Sequence, residues 1–168
     1  MRIQVCGNIK LQKEIYADML EQAKDSVPED TLTHPEVFIS EESTVADDVL
    51  LGNATILGDT VIGEGCLIGN GVVINNATIG RNVVISKNVS IGSGTDIKDD
   101  AAVGKDVMIG TNVELGECSI IGSSTVITSE CTVPGHALVS CNSIIANGNV
   151  PSFKIIDTKL PAAVGSFS

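Results

Sequence analysis

An aliphatic residue opens one short unit after another along the middle of this chain: Ile39, Val45, Leu51, Leu57, Ile62, Ile68, Ile74, Ile79, Ile85, Ile91, Ile97, Val103, Ile109, Leu115, Ile121, Ile127, Val133, Val139 and Ile145. From Ile79 to Ile145 the step is six residues without exception. Six is neither the period of two of a half-buried strand nor the 3.6 of a helix. It fits a solenoid in which short strands and turns alternate around a prism, each unit burying its apolar side chains only against its neighbours.

The other positions of the unit agree. Four residues after the aliphatic comes a small or β-branched residue, among them Thr55, Cys66, Val72, Thr78, Val83, Val89, Ala101, Ser119 and Cys131, and also Val61. These side chains are expected to share a narrow interior. Three residues after it stand Asp48, Gly65, Gly71, Asn82, Asn88, Gly94, Asp100, Asp106, Asn112 and Asn142, types that tolerate positive φ and so mark corners. The next position after the aliphatic is mostly Gly. Units 57–61 and 74–78 are one residue short, giving two coils of 17 residues instead of 18. Three units per coil place both deletions at one corner of a triangular prism. The fold class expected is all-β, a parallel β-helix of about six coils over residues 37–150.

The ends depart from the period. Residues 1–36 read as a strand, RIQVC, then an N-cap Asn8 and a helix with Leu11, Ile15, Met19 and Ala23 on one face, stopped at Val27-Pro28. The helix is expected to lie as a lid over the first coil. Residues 151–168 form a cap and tail, with Phe153, Ile155 and Ile156 covering the last coil.

Composition narrows the partners. The 168 residues include no Trp and only three Phe, so the interior is aliphatic. The net charge of −11 disfavours nucleic acid and anionic membranes as partners. No apolar run is long enough to span a bilayer, and no signal-type segment opens the sequence. Five cysteines (Cys6, Cys66, Cys118, Cys131, Cys141) show no CxxC and no metal spacing, which points to free thiols and a cytoplasmic location.

Candidate chemistry is sparse. The two histidines are His34, ahead of the first coil, and His136, at a corner position. Two imidazoles do not make the three-histidine zinc site of a hydrase, and no metal is expected. Cys66 and Cys131 read as core, Cys118 and Cys141 as corner residues. The acidic group Asp96, Asp99, Asp100 offers a general base or a solvated edge. The GxG pieces are corners, since no helix follows them to receive a phosphate.

With THPEVFISEESTVADDV, RIQVCGNIKLQKEIYADML, VITSECTVPGHALV and NVPSFKII, the chain resembles the bacterial hexapeptide-repeat acyltransferases. It is most similar to the branch that acetylates sialic acids or UDP-amino-sugars, with a truncated N-terminal domain. The resemblance implies a left-handed β-helix, a homotrimer, and acetyl-CoA as acyl donor in the groove between neighbours. It implies direct transfer to an amine or hydroxyl of a small sugar-like acceptor, with a histidine as general base oriented by a carboxylate. That branch's catalytic histidine would fall near residues 92–94, where this chain has Gly92-Ser93-Gly94. His136, His34 or Asp96 would then supply the base. Backbone amides at Gly104, Gly122 and Ser140 are the candidates for cofactor contact, and Lys154 for a CoA phosphate. The alternative is a β-helix scaffold or assembly subunit without an acyltransferase site.

Overall fold

The computed structural model describes residues 2–5, 17, 37–146 and 154–157. Residues 37–146 wind as a solenoid whose strands form three parallel sheets, faces A, B and C of a triangular prism. The chain visits B, then C, then A, and begins the next coil. Face B stacks Phe38–Ile39, Ala54–Leu57, Val72–Asn75, Ser90–Ile91, Met108–Ile109, Val126–Ile127 and Ile144–Ile145. Face C stacks Thr44–Val45, Val61–Ile62, Thr78–Ile79, Asp96–Ile97, Glu114–Leu115 and Thr132–Val133. Face A stacks Leu50–Leu51, Leu67–Ile68, Val84–Ile85, Ala102–Val103, Ile120–Ile121 and Leu138–Val139.

Two-residue strands have no stability alone. Here each is held by backbone hydrogen bonds to the coils on either side, as from Val84 N to Ala101 O at 3.0 Å and Ser86 N to Val103 O at 2.9 Å. The second residue of each pair points inward. Leu51, Ile68, Ile85, Val103, Ile121 and Val139 form one buried column, and the equivalents from B and C join it in a single aliphatic core. Burying each such side chain is worth about 1.5–3 kcal/mol. Val83, Ala101, Val107, Ser119 and Cys131 fill the narrow space between them as the spacing demands.

The corner positions carry positive φ at Asn82, Asn88, Asp100, Asp106, Asn112, Cys118, Ser124, Glu130, His136 and Asn142. Asp48, also expected there, is not among them. Where a glycine follows a strand the cause is different: a Cβ on Gly122 would sit 2.5 Å from Cys141 N, in the backbone of the next coil. Close coil stacking excludes a side chain at Gly122.

Three expectations need correction. Leu57 does not open a unit: Ile56 is fully buried, pairs with Ile39 and Ile74, and leaves Leu57 half-buried beside it. The first short unit is therefore 51–55, at the A–B corner, while the second, 74–78, lies at the B–C corner. They do not share a corner. The adjacent pair Ile56-Leu57 makes the opening residue ambiguous by composition, and packing decides it. With Ile56 opening its unit, Thr60 is inward and Val61 outward; in the two short units Ala54 and Ala77 are inward and Thr55 and Thr78 outward.

The ends differ as well. Strand Lys154–Asp157 extends face A beyond the last coil, with Val139 opposite Ile156. Strand Arg2–Val5 pairs antiparallel with it, Ile3 opposite Ile156. The last coil is thus continued by main-chain pairing, and the N-terminal strand sits at that end. The helix over 8–27 lies outside the described residues apart from Ala17, which is helical and exposed. Phe153 also lies outside them.

The three outer faces are unlike. Face C presents Thr44, Thr78, Asp96, Glu114 and Thr132, with Val61 its one apolar residue. Face B presents an exposed apolar ladder that includes Phe38, Val73, Met108 and Ile144. On face A the outward residues Leu67, Val84, Ala102, Ile120 and Leu138 are only 0–2% exposed, although none belongs to the interior cluster. Among the described residues, no helix is long and apolar enough to cross a membrane.

Candidate functional site

The corner between faces C and A gathers the titratable groups. There the coil spacing stacks Gly65, Asn82, Asp100, Cys118 and His136 in one column, all with positive φ. Backbone bonds lock the column: Asn82 N donates to Glu64 O at 2.8 Å, Asp100 N to Arg81 O at 2.9 Å, Cys118 N to Asp99 O at 3.0 Å, and His136 N to Glu117 O at 2.8 Å. His136 therefore stands directly above Cys118, one coil spacing (about 4.8 Å) on, with Glu117 next to Cys118 in the coil below. The ligand atoms of Asp100, Glu117 and Cys118 lie within 4.8 Å of one another, two exposed carboxylates beside a half-buried thiol. Their donor set would accept a divalent cation, but exposed acidic groups commonly gather without one.

Asp96 is placed elsewhere. It lies on face C in register with Thr78 and Glu114, and Glu114 is in register with Thr132. That sets it two coils, about 10 Å, from the level of His136's own coil. Its Oδ2 accepts a hydrogen bond from Lys98 Nζ at 2.5 Å, and this bond raises the lysine's pKa above its ordinary value. The acidic residue one coil below His136 is Glu117, whose main-chain carbonyl accepts the His136 N–H; Asp100 lies two coils below. The sequence carries the signal for this grouping in the spacing 100, 118, 136, one full coil each time, which places three chemically active side chains on one edge.

The remaining candidates fall into separate places. Gly104 and Gly122 follow the face A strands and are buried. Their amides already donate within the coil ladder, Gly104 N to Ile121 O at 2.8 Å and Gly122 N to Val139 O at 2.7 Å. Ser140 is buried in the same column, its Oγ 3.0 Å from Ser143 Oγ. Lys154 lies on the strand that pairs with Leu138–Val139, so it shares the last-coil end of face A with Ser140. His34 and Cys6 lie outside the described residues. Gly92-Ser93-Gly94 forms an ordinary B–C turn, with Gly94 N donating to Asn76 O at 2.8 Å.

Cys66, the inward residue after Gly65, is a packing group. Burial pushes its thiol up to about 11, with a smaller contribution from the carboxylates of Asp48 and Asp99. Its Sγ donates to Gly80 O at 3.0 Å. Such a thiol is a poor nucleophile at neutral pH.

The repeat and the fold agree with known proteins. Residues 42–76 match the bacterial transferase hexapeptide (six repeats) model. A Bacillus cereus protein classed as an acetyltransferase has a similar structure, with a TM-score of 0.64 at 20% identity over 69% of this chain and 75% of that one. A hexapeptide transferase family protein from Anaplasma phagocytophilum gives 0.55 at 16% identity, covering 71% and 70%. A variant of GDP-perosamine N-acetyl transferase from Caulobacter crescentus, in complex with CoA and GDP-perosamine, gives 0.52 at 14% identity. The similarity covers 79% of this chain and 56% of that enzyme. No curated protein matches the sequence. The chain carries the bacterial transferase hexapeptide repeat on the parallel β-helix that these proteins share.

Proposed function

We propose that the protein is an acetyl-CoA-dependent acyltransferase acting on an amino or hydroxyl group of a small sugar-like acceptor. The observation that carries this reading is the C–A corner column, which sets the imidazole of His136 one coil above Glu117 and two above Asp100. The repeat, and the CoA and nucleotide-linked amino sugar held by the Caulobacter relative, support the choice of donor and acceptor.

In this reading acetyl-CoA, when bound, supplies a thioester acyl group. His136 accepts the proton of the acceptor's amine or hydroxyl as that atom attacks the carbonyl carbon. The carbon–sulfur bond breaks, CoA leaves as the thiolate, and the imidazolium returns the proton to it. The carboxylate of Glu117 favours the imidazolium while it carries the charge. It takes the orienting part that Asp96, two coils away and bound to Lys98, is badly placed to fill. Gly104 and Gly122 serve coil stacking, since their amides are already committed. Lys154, on the strand that continues face A at the last-coil end, is the contact for a CoA phosphate, and Ser140 lies at that same end. A homotrimer in the cytoplasm, with the donor groove between two copies, completes the proposal.

Calorimetric titration of the purified chain with acetyl-CoA tests it. Saturable binding is the outcome expected. No heat and no thermal stabilisation at millimolar CoA would rule the reading out. A second reading, a β-helix scaffold without chemistry, draws on the glycine-serine turn at residues 92–94, where a related enzyme would carry its histidine. It predicts that null result.

A further inference from the structure

Of the two outer faces open to solvent, B alone carries no charge. Its outward ladder is apolar at Phe38, Val73, Met108, Val126 and Ile144, with Thr55 and Ser90 between them. Face C has Asp96 and Glu114 in the same outward position. Phe38, Met108 and Ile144 are 55%, 59% and 62% exposed, an apolar surface of the kind that marks an interaction site. Six inter-strand steps make the face about 29 Å tall, and six residues per side make it about 20 Å wide. That extent, about 600 Å² in projection, is on the scale of the roughly 800 Å² that one partner gives to a stable interface.

We infer that copies of this chain associate through face B with their prism axes parallel, the A–B edge of one copy beside the B–C edge of the next. A ladder that repeats once per coil is matched rung for rung by another ladder of the same repeat, which a second copy supplies. Charge selects the contact and its direction. At a net charge of −11 two copies repel, and least where the facing residues are neutral. The two edges of face B are unlike. The A–B edge holds Lys87 and Lys105, which have no carboxylate partner among the described residues, whereas Arg81 and Lys98 are paired with Asp99 and Asp96. The one acid of that edge, Asp106, accepts a hydrogen bond from Asn88 Nδ2 at 3.2 Å. The B–C edge holds Glu41, Glu42, Asp59 and Glu130 and no Lys or Arg. Rotation about an axis parallel to the prism sets unlike edges together; turning one prism end over end sets lysine beside lysine and acid beside acid.

The inference names the face that the proposed homotrimer would use, but it rests on association alone. An inactive chain that associates this way leaves it standing, and an active chain that associates otherwise overturns it without touching the acyltransferase reading. Sedimentation of the full chain tests it. The unaltered chain should be an oligomer at micromolar concentration, and Met108→Asp with Ile144→Asp should make it a monomer with an unchanged far-UV spectrum. Thr132→Asp, on face C, should leave the oligomer intact. Lys87→Glu with Lys105→Glu should weaken association about tenfold at low salt, and mixing with a chain carrying Asp59→Lys and Glu130→Lys should restore it. Direction is read by a short bismaleimide in a chain with Cys6→Ser, Cys118→Ser and Cys141→Ser. Ile144→Cys should link to Ile144→Cys of another copy, while a mixture of Phe38→Cys and Ile144→Cys chains should give no link between those two positions. A monomer from the start, an oligomer indifferent to Met108→Asp with Ile144→Asp, or links between Phe38→Cys and Ile144→Cys would each overturn the inference.

Discussion

The B–C and C–A corners turn the chain with the same backbone angles and carry different chemistry. Asn112 at the first has φ 54° and Cys118 at the second has φ 59°. At the B–C corner the side chains serve the turn itself: Asn112 Nδ2 donates to Glu130 Oε1 at 2.9 Å, one coil on. At the C–A corner the same positions hold Asp100, Cys118 and His136, with Glu117 alongside. A left-handed backbone favours Gly, Asn and Asp, and a cysteine there costs about 1–2 kcal/mol. Corner geometry accounts for Asn76, Gly94 and Asn112 in one column and Gly65, Asn82 and Asp100 in the other; Glu130 in the first is tied to Asn112, while for Cys118 in the second the proposed chemistry supplies the reason.

Substitutions can pull the two columns apart. The largest stability loss comes from neither corner but from the core that both enclose. Ile121→Ala, at a fully buried inward position, should cost about 2–5 kcal/mol in urea unfolding, whereas Asn112→Gly should stay within about 1 kcal/mol. Equal losses would mean that the corners, not the interior, hold the coils together.

Next comes an alkaline effect beside the C–A corner. The folded-state pKa of Cys66 is about 11 against 9.0 for a free thiol. The raised value means that the folded chain keeps a proton which the unfolded chain loses. Stability is unaffected below pH 9 and falls as pH rises from 9 through 11, by about 2–3 kcal/mol in all. Cys66→Ala should flatten that slope in urea midpoints measured between these pH values. An unchanged slope would place the titrating group elsewhere.

The smallest effect separates the columns most cleanly. Cys118→Gly should raise stability by about 1 kcal/mol, because glycine accepts positive φ without the Cβ penalty. Asn112→Gly should gain less, since asparagine already tolerates that conformation and its bond to Glu130 is lost. Matching thermal shifts for the two would remove the contrast between the corners.

Much of the fold was legible because a solenoid repeats one local decision. The run of aliphatic residues from Ile79 to Ile145 specifies inward column, corner and spacer together, and the structure keeps that register throughout. Ambiguity entered where composition offered two equal choices, at Ile56-Leu57, and only packing against Ile39 and Ile74 resolves it. The candidate site was less legible. His136 and Asp96 are visible as titratable residues, but their separation depends on which face and which coil each occupies. Glu117 drew no notice because its significance comes entirely from lying one coil below His136. The glycines suggested for cofactor contact show the same limit: small residues in a column fit a ligand or a neighbouring coil equally well, and in the structure the amides of Gly104 and Gly122 donate to Ile121 O and Val139 O of the next coil.

The central claim is that the C–A corner performs acyl transfer through His136. The direct measurement is release of CoA thiol from acetyl-CoA in the presence of a nucleotide-linked amino sugar, comparing the unaltered chain with His136→Ala and Asn112→Gly. The rate should fall about 10²–10⁴-fold in His136→Ala and stay unchanged in Asn112→Gly. Turnover that survives the loss of His136 at full rate would contradict the assignment.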